Sequence, residues 1–277
     1  MSNIILKCAP WRDNQMVLCH SDGTISINST FLKKYEQLSC VATDPEKDLI
    51  AVTFYGGVSI LHHGNEVSKY SYKNLENVPQ DVKTLLHHYF PVTKCCVIFS
   101  DNLFVGSDQG LIRHRLDKML IGPPEIINRE YSVRCCAVSF NVIAWAERST
   151  AYAGAVELKG HKGTIYSCAI DPKDNNIVVT TASDGTIRVW NIREARLERI
   201  IGIQEPRIIS SGVFSSDGSF FVACLSNPNH VGRWDINWKQ LKSYRNYIIP
   251  IIGCSITSDN RVLTALVDGT VVEENEN

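Results

Sequence analysis

His161, Thr180 and Asp184 are the residue types of an activated nucleophile: a hydroxyl, an imidazole to take its proton and a carboxylate to orient the ring. Ten cysteines and the doublets His62-His63 and His87-His88 add types that ligate metals. Cys95-Cys96 and Cys135-Cys136 fall on strand-like runs, where successive side chains point to opposite faces, so they cannot hold one ion as a CxxC pair would. The histidine doublets are read the same way, and no metal or cofactor is expected. The chain shows no glycine-rich phosphate loop, zinc motif or convergent carboxylate set, so no enzymatic activity is expected either.

The elements that must position these residues are short strands. From Leu158 to Ile192 the chain runs through Ile165 to Ile170, Ile177 to Thr181 and Thr186 to Trp190, each rich in β-branched and apolar residues. Ser183-Asp184-Gly185 lies between the last two, and Asp-Gly is a strong hairpin signal because glycine accepts the positive φ of a tight turn. Comparable turns fall at Asp22, Asp108 and Asp268, in steps of 86, 76 and 84 residues, each room for two units of about 40.

The Gly160-His161 pair, the three runs and the closing Trp190-Asn191 resemble one unit of the WD-repeat β-propeller family, whose units close on Trp-Asp. Asn191 stands where the family has Asp, and Trp234-Asp235 keeps the pair intact. The resemblance implies an all-β fold, a seven-bladed WD-repeat β-propeller whose last blade is three-stranded or open. A single domain, 1–277, is expected, with blades near 4–36, 37–72, 93–130, 131–159, 160–203, 207–246 and 250–274. It also implies that His161, Thr180, Asp184 and Trp190 form a buried polar chain that pins the strands, out of reach of any substrate. The other blades would rely on apolar packing, with Asn28 and His114 at the Trp position of blades one and three.

The run HKGTIYSC is similar to the G-protein β subunits of that family, in which partners rest on residues at the start of each first strand. Carried to blade five, these are Thr164 and Tyr166, with Ser183 before the turn. Counting two back from the aligned cysteine, or from Gly212 in blade six, gives Leu6, Leu38, Lys94, Arg134, Tyr166, Ser210 and Ile252. An apolar arc of Ile252, Leu6 and Leu38 beside a basic pair, Lys94 and Arg134, would suit protein or peptide partners with apolar anchors and acidic flanks. The implied function is a protein-interaction scaffold or adaptor. The alternative, a substrate receptor of a cullin ubiquitin ligase, rests on Trp190-Asn191-Ile192-Arg193, which resembles Trp-Asp-x-Arg with its Asp replaced.

Two features depart from a plain repeat. The chain ends soon after the third strand of blade seven, so that sheet is expected to accept a strand from a donor. Between blades two and three, residues 73–92 read as containing a short helix, with Asp81 as N-cap, Pro91 as stop and Val82, Leu85, Leu86 and Tyr89 on one side. A formal net charge of -1 and 21% charged residues argue against a nucleic-acid surface over the whole protein. No apolar run reaches the roughly 18 residues that cross a bilayer, and no secretory signal is evident, so a cytoplasmic or nuclear protein is expected.

Overall fold

The computed structural model describes residues 5–12, 15–72, 93–128, 132–202, 208–226, 229–244, 246–257 and 259–274, apart from the side chains of Ile5, Leu6 and Thr93. The segment expected to contain a short helix, 73–92, lies outside the described residues. Seven antiparallel sheets follow one another along the chain, each a meander of consecutive strands. The first holds β1 (Ile5–Pro10), β2 (Met16–His20), β3 (Thr24–Ile27) and β4 (Thr30–Lys34). The second holds β5 (Leu38–Asp44), β6 (Leu49–Phe54), β7 (Gly57–His62) and β8 (Asn65–Ser71). The third holds β9 (Thr93–Phe99), β10 (Asn102–Ser107), β11 (Gly110–Asp117) and β12 (Leu120–Asn128).

The fourth sheet holds β13 (Cys135–Ser139), β14 (Val142–Glu147), β15 (Thr150–Ala153) and β16 (Val156–Lys159). The fifth holds β17 (Ile165–Ile170), β18 (Ile177–Ala182), β19 (Thr186–Asn191) and β20 (Arg196–Gly202). The sixth holds β21 (Ile209–Phe214), β22 (Phe220–Leu225), β23 (His230–Asp235) and β24 (Gln240–Ser243). The seventh has three strands among the described residues, β25 (Ile251–Ile256), β26 (Val262–Leu266) and β27 (Val271–Glu274). The class is all-β, a seven-bladed β-propeller with a three-stranded last blade.

The chain forms two compact units, Met1–Trp11 with Met16–Arg134, and Arg12–Gln15 with Cys135–Asn277. In the first, β1 packs on β5 and β5 on β9; in the second, β13, β17, β21 and β25 pack in succession. Second strands lie between neighbouring sheets and are buried along their length, as in β6 and β22, whereas the outer strand β8 alternates between exposed and half-buried positions. Burial on both faces removes the alternation and leaves continuous apolar runs. The first unit gathers Val17, Ile25, Tyr35, Leu38, Val41, Phe54 and Leu61 in one cluster, and Ala51, Ile60, Tyr72, Leu103 and Val105 in another. The second gathers Ile165, Val178 and Trp190, then Ile187, Phe221 and Trp234. Each fully buried aliphatic side chain contributes about 1.5–3 kcal/mol, so these clusters rather than the polar chains hold most of the fold.

The tight turns follow the chemistry of their residues. Gly185 has φ of 73°, and Asp184 Oδ1 accepts from the Thr186 backbone N–H at 3.1 Å and the Thr186 hydroxyl at 2.7 Å. Gly23, φ 86°, lies against the Tyr35 carbonyl, where a Cβ would collide with the backbone. All ten cysteines are free thiols.

Candidate functional site

The polar chain of blade five is buried and continuous. Trp190 Nε1 donates to Thr180 Oγ1 at 2.8 Å, Thr180 Oγ1 lies 2.7 Å from His161 Nε2, and His161 Nδ1 lies 2.9 Å from Asp184 Oδ2. An indole N–H can only donate, so the Thr180 hydroxyl proton goes to Nε2 and the imidazole proton sits on Nδ1, facing the carboxylate. Burial pushes the His161 pKa down against the pull of Asp184, keeping the ring neutral. Burial alone would raise the Asp184 pKa, but hydrogen bonds from Thr186, the Lys162 N–H and His161 outweigh it and hold the carboxyl below its usual range. Thr180 is 0% exposed, so its hydroxyl cannot meet a substrate and serves as a strut.

Two further polar chains were not foreseen from residue types. In blade three, His114, at the Trp190-equivalent place on β11, is fully buried; its Nε2 lies 2.9 Å from the Tyr72 hydroxyl and its Nδ1 2.8 Å from the Gly122 carbonyl. A carbonyl only accepts, so Nδ1 carries the proton and the Tyr72 O–H donates to Nε2. Blade seven rebuilds the chain from other types. Tyr247 Oη donates to Glu274 Oε1 at 2.6 Å and Thr264 Oγ1 donates to the same oxygen at 2.5 Å. By strand register, Thr264 and Glu274 occupy the places of Thr180 and Trp190, and Tyr247 joins them where blade five uses a histidine. The expectation that blades other than five rely on apolar packing is therefore corrected for blades three and seven.

The start of the innermost strands carries a repeated irregularity. In six sheets the pairing between the first and second strands skips one residue: Leu6, Ser39, Lys94, Tyr166, Ser210 and Ile252. Such a bulge leaves the extra residue out of the ladder and re-aims its side chain, here beside the turn that joins the second and third strands. Arg134 precedes β13 at the matching place and is exposed. Tyr166, Ser210, Ile252 and Lys94 are half-buried, and the Leu6 side chain lies outside the described residues. Thr164 and Ser183 are tied together, the Thr164 N–H donating to Ser183 Oγ at 2.8 Å and the Ser183 N–H to the Thr164 carbonyl at 2.9 Å.

One rim residue is corrected. Leu38 is 6% exposed and belongs to the core cluster of Tyr35, Val41 and Phe54; the bulge residue of blade two is Ser39, whose Oγ donates to the Thr53 carbonyl at 3.0 Å. Val41, not Cys40, holds the place of Cys168. The apolar arc loses its third member. The basic pair stays within one unit, with Lys94 Nζ donating to Ser132 Oγ at 2.5 Å, two residues before Arg134.

Beside Ser39, the link from β4 to β5 forms the floor of a groove of about 710 Å³ lined by Lys33, Lys34, Tyr35, Phe54, Tyr55 and Lys69, among others. Glu66 takes the charge of Lys33 at 3.3 Å and accepts from Tyr35 Oη at 2.8 Å and Ser59 Oγ at 2.7 Å. Burial would raise the Glu66 pKa, but these hydrogen bonds outweigh it and keep the carboxylate ionised. Lys69 lies over the Phe54 ring at 5.0 Å, and Tyr55 is exposed. The groove therefore offers an aromatic wall with lysines along it.

At the other end of the same sheet, His62 and His63 do not point to opposite faces as their adjacency suggested. Their ring centroids are 3.9 Å apart, because His63 leaves the strand with φ of 50°. The expectation that they share no ligand geometry is thereby overturned. His87-His88 lies outside the described residues. Arg193, of the Trp-Asp-x-Arg resemblance, is exposed; the acids near it, Glu194 and Glu198, pair with Arg196.

A family model described as "WD domain, G-beta repeat" matches residues 155–191. WD repeat-containing protein AAC3 of Dictyostelium discoideum is 30% identical over 91 residues, covering 32% of this chain and 18% of that protein. WD repeat-containing protein WDS homolog of Arabidopsis thaliana is 36% identical over 90 residues, 30% of this chain and 16% of that one. The aligned part thus spans less than a fifth of either relative. Among solved structures, the WD40 β-propeller domain of Doa1 superposes with a TM-score of 0.75 over 99% of this chain and 94% of that one, at 14% identity, a likeness of fold. No helix among the described residues is long and apolar enough to cross a membrane. Residues 155–191 thus match a WD repeat, the aligned relatives are WD repeat-containing proteins, and the fold as a whole is that of a WD40 β-propeller.

Proposed function

We propose that the protein is a cytoplasmic or nuclear scaffold that holds protein partners at the sheet ends where, within each unit, the strand-start bulges emerge, in the general manner of WD-repeat propellers. The observation that carries this reading is the bulge itself, repeated in six sheets although the side chain it presents differs from sheet to sheet. A backbone device kept apart from side-chain identity builds a display surface. Within the first unit, Lys94, Arg134 and the lysine-lined aromatic groove favour a partner segment that is acidic and carries an aromatic or apolar anchor.

Charge reversal tests it. Lys94→Glu with Arg134→Glu is expected to weaken the captured partner about tenfold or more, with the loss growing as ionic strength falls, while the melting temperature drops by no more than about 2 °C, the scale of the lost Lys94–Ser132 hydrogen bond. Affinity capture of wild type and variant, followed by direct titration of the partner that is lost, measures this. Equal binding by both proteins removes the basic pair from the interface. Among the described residues β27 is the outer strand of its sheet, and its edge offers a second contact as a strand acceptor. A structure in which this chain supplies a fourth strand there would end that part of the reading. The cullin-receptor alternative rests on exposed Arg193 alone and requires a cullin adaptor among the captured proteins.

A further inference from the structure

We propose that Asp48, His62 and His63 form a Zn2+ site at the end of blade two opposite the bulge face. The register brings them together. Leu49 pairs with His62, so Asp48, just before Leu49, and His63, just after His62, overhang the same sheet end. Both depart from strand geometry in the left-handed region, Asp48 with φ of 57° and His63 with φ of 50°. This folds both imidazoles toward the carboxylate, and the three ligand atoms all lie within 4.8 Å of one another. His63 Nδ1 already contacts Asp48 Oδ2.

A tetrahedral Zn2+ with bonds of about 2.1 Å sets its ligands about 3.4 Å apart. His63 is 70% exposed at its side chain, so it has room for the small swing this needs, while the Asp48 side chain, 12% exposed, is the fixed anchor. The adjacent cation, Lys47, is engaged elsewhere: its Nζ turns to Asp101 Oδ1 at 2.9 Å, the Ser100 carbonyl at 3.0 Å and Asp44 at 3.9 Å. Two imidazoles and one carboxylate suit Zn2+ over Ca2+ or Mg2+, which prefer all-oxygen sets. Three protein ligands leave a fourth position for water or an incoming side chain, the pattern of an exchangeable rather than a purely structural zinc.

The test is a titration of chelator-treated protein with Zn2+ against a chromophoric competitor, repeated with Co2+ for its spectrum. One equivalent is expected to bind, with a Co2+ spectrum free of thiolate charge transfer. His63→Ala, at an exposed position, and Asp48→Asn, which tolerates the same backbone, are each expected to weaken binding at least about tenfold, since even partners of ligands cost that much. Zn2+ should also raise the melting temperature of wild type and not of the variants. Zn2+ affinity equal in wild type and both variants overturns the site, and so does a thiolate-to-cobalt band, which would move the metal to the cysteines.

Discussion

Replacing Thr180 with Val should destabilise the protein by about 3 kcal/mol, the sum of two buried polar groups left without partners at about 1–3 kcal/mol each. Valine nearly matches threonine in shape, so no cavity opens. What disappears is the oxygen that accepts from Trp190 Nε1 at 2.8 Å and bonds His161 Nε2 at 2.7 Å. Both groups are buried, with Trp190 3% and His161 6% exposed, so water cannot replace the hydroxyl. For a chain of this size the melting temperature should fall by about 5 °C. Calorimetry or urea unfolding measures the change. A loss under about 0.5 kcal/mol, the range of ordinary surface substitutions, would mean that the chain of hydrogen bonds does not pin the blade.

Acid should weaken the fold through His114. Burial lowers its pKa from 6.5 to about 4, the bond to the Gly122 carbonyl opposing only in part. The folded state therefore binds this proton more weakly than the unfolded state. Stability is full above pH 6.5 and falls as pH drops from 6.5 toward 4, by about 3 kcal/mol over that window at 1.36 kcal/mol per pKa unit. His161, also shifted down by burial, adds in the same direction. Asp184 keeps its contribution until pH falls through its own depressed pKa. His114→Phe should start less stable at pH 7, because the Tyr72 hydroxyl and Gly122 carbonyl lose their partner, and should approach wild type at about pH 4.5. Urea midpoints at the two pH values decide it. Parallel pH dependence in wild type and variant would assign the acid loss to other groups.

What could be read in the sequence was what repeats at fixed spacing. Strand alternation, Asp-Gly turns and the tetrad of blade five were visible because their residue types are those of the pattern itself. The chain of Tyr247, Thr264 and Glu274 was hidden because position survives there while type changes. Matching Ser39-Cys40 to Ser167-Cys168 puts the slot on Leu38. Counting back from Asp44-Pro45 against Asp171-Pro172 instead sets Val41 on Cys168, and the bulge falls on Ser39. His62 and His63 were assigned to opposite faces on the rule for extended strands, and positive φ at a histidine has no sequence signature to warn of the exception.

The residue skipped at the head of each innermost strand has a consequence for how such a protein changes over time. Because the ladder on either side closes without it, substitutions there leave the backbone pairing intact and change only local side-chain contacts, such as those of Ser39 with Thr53 and Lys94 with Ser132, and whatever docks. Leucine, serine, lysine, tyrosine and isoleucine all occupy this slot in a single chain. Recognition can thus drift, or be re-engineered, one position at a time, with foldability left intact.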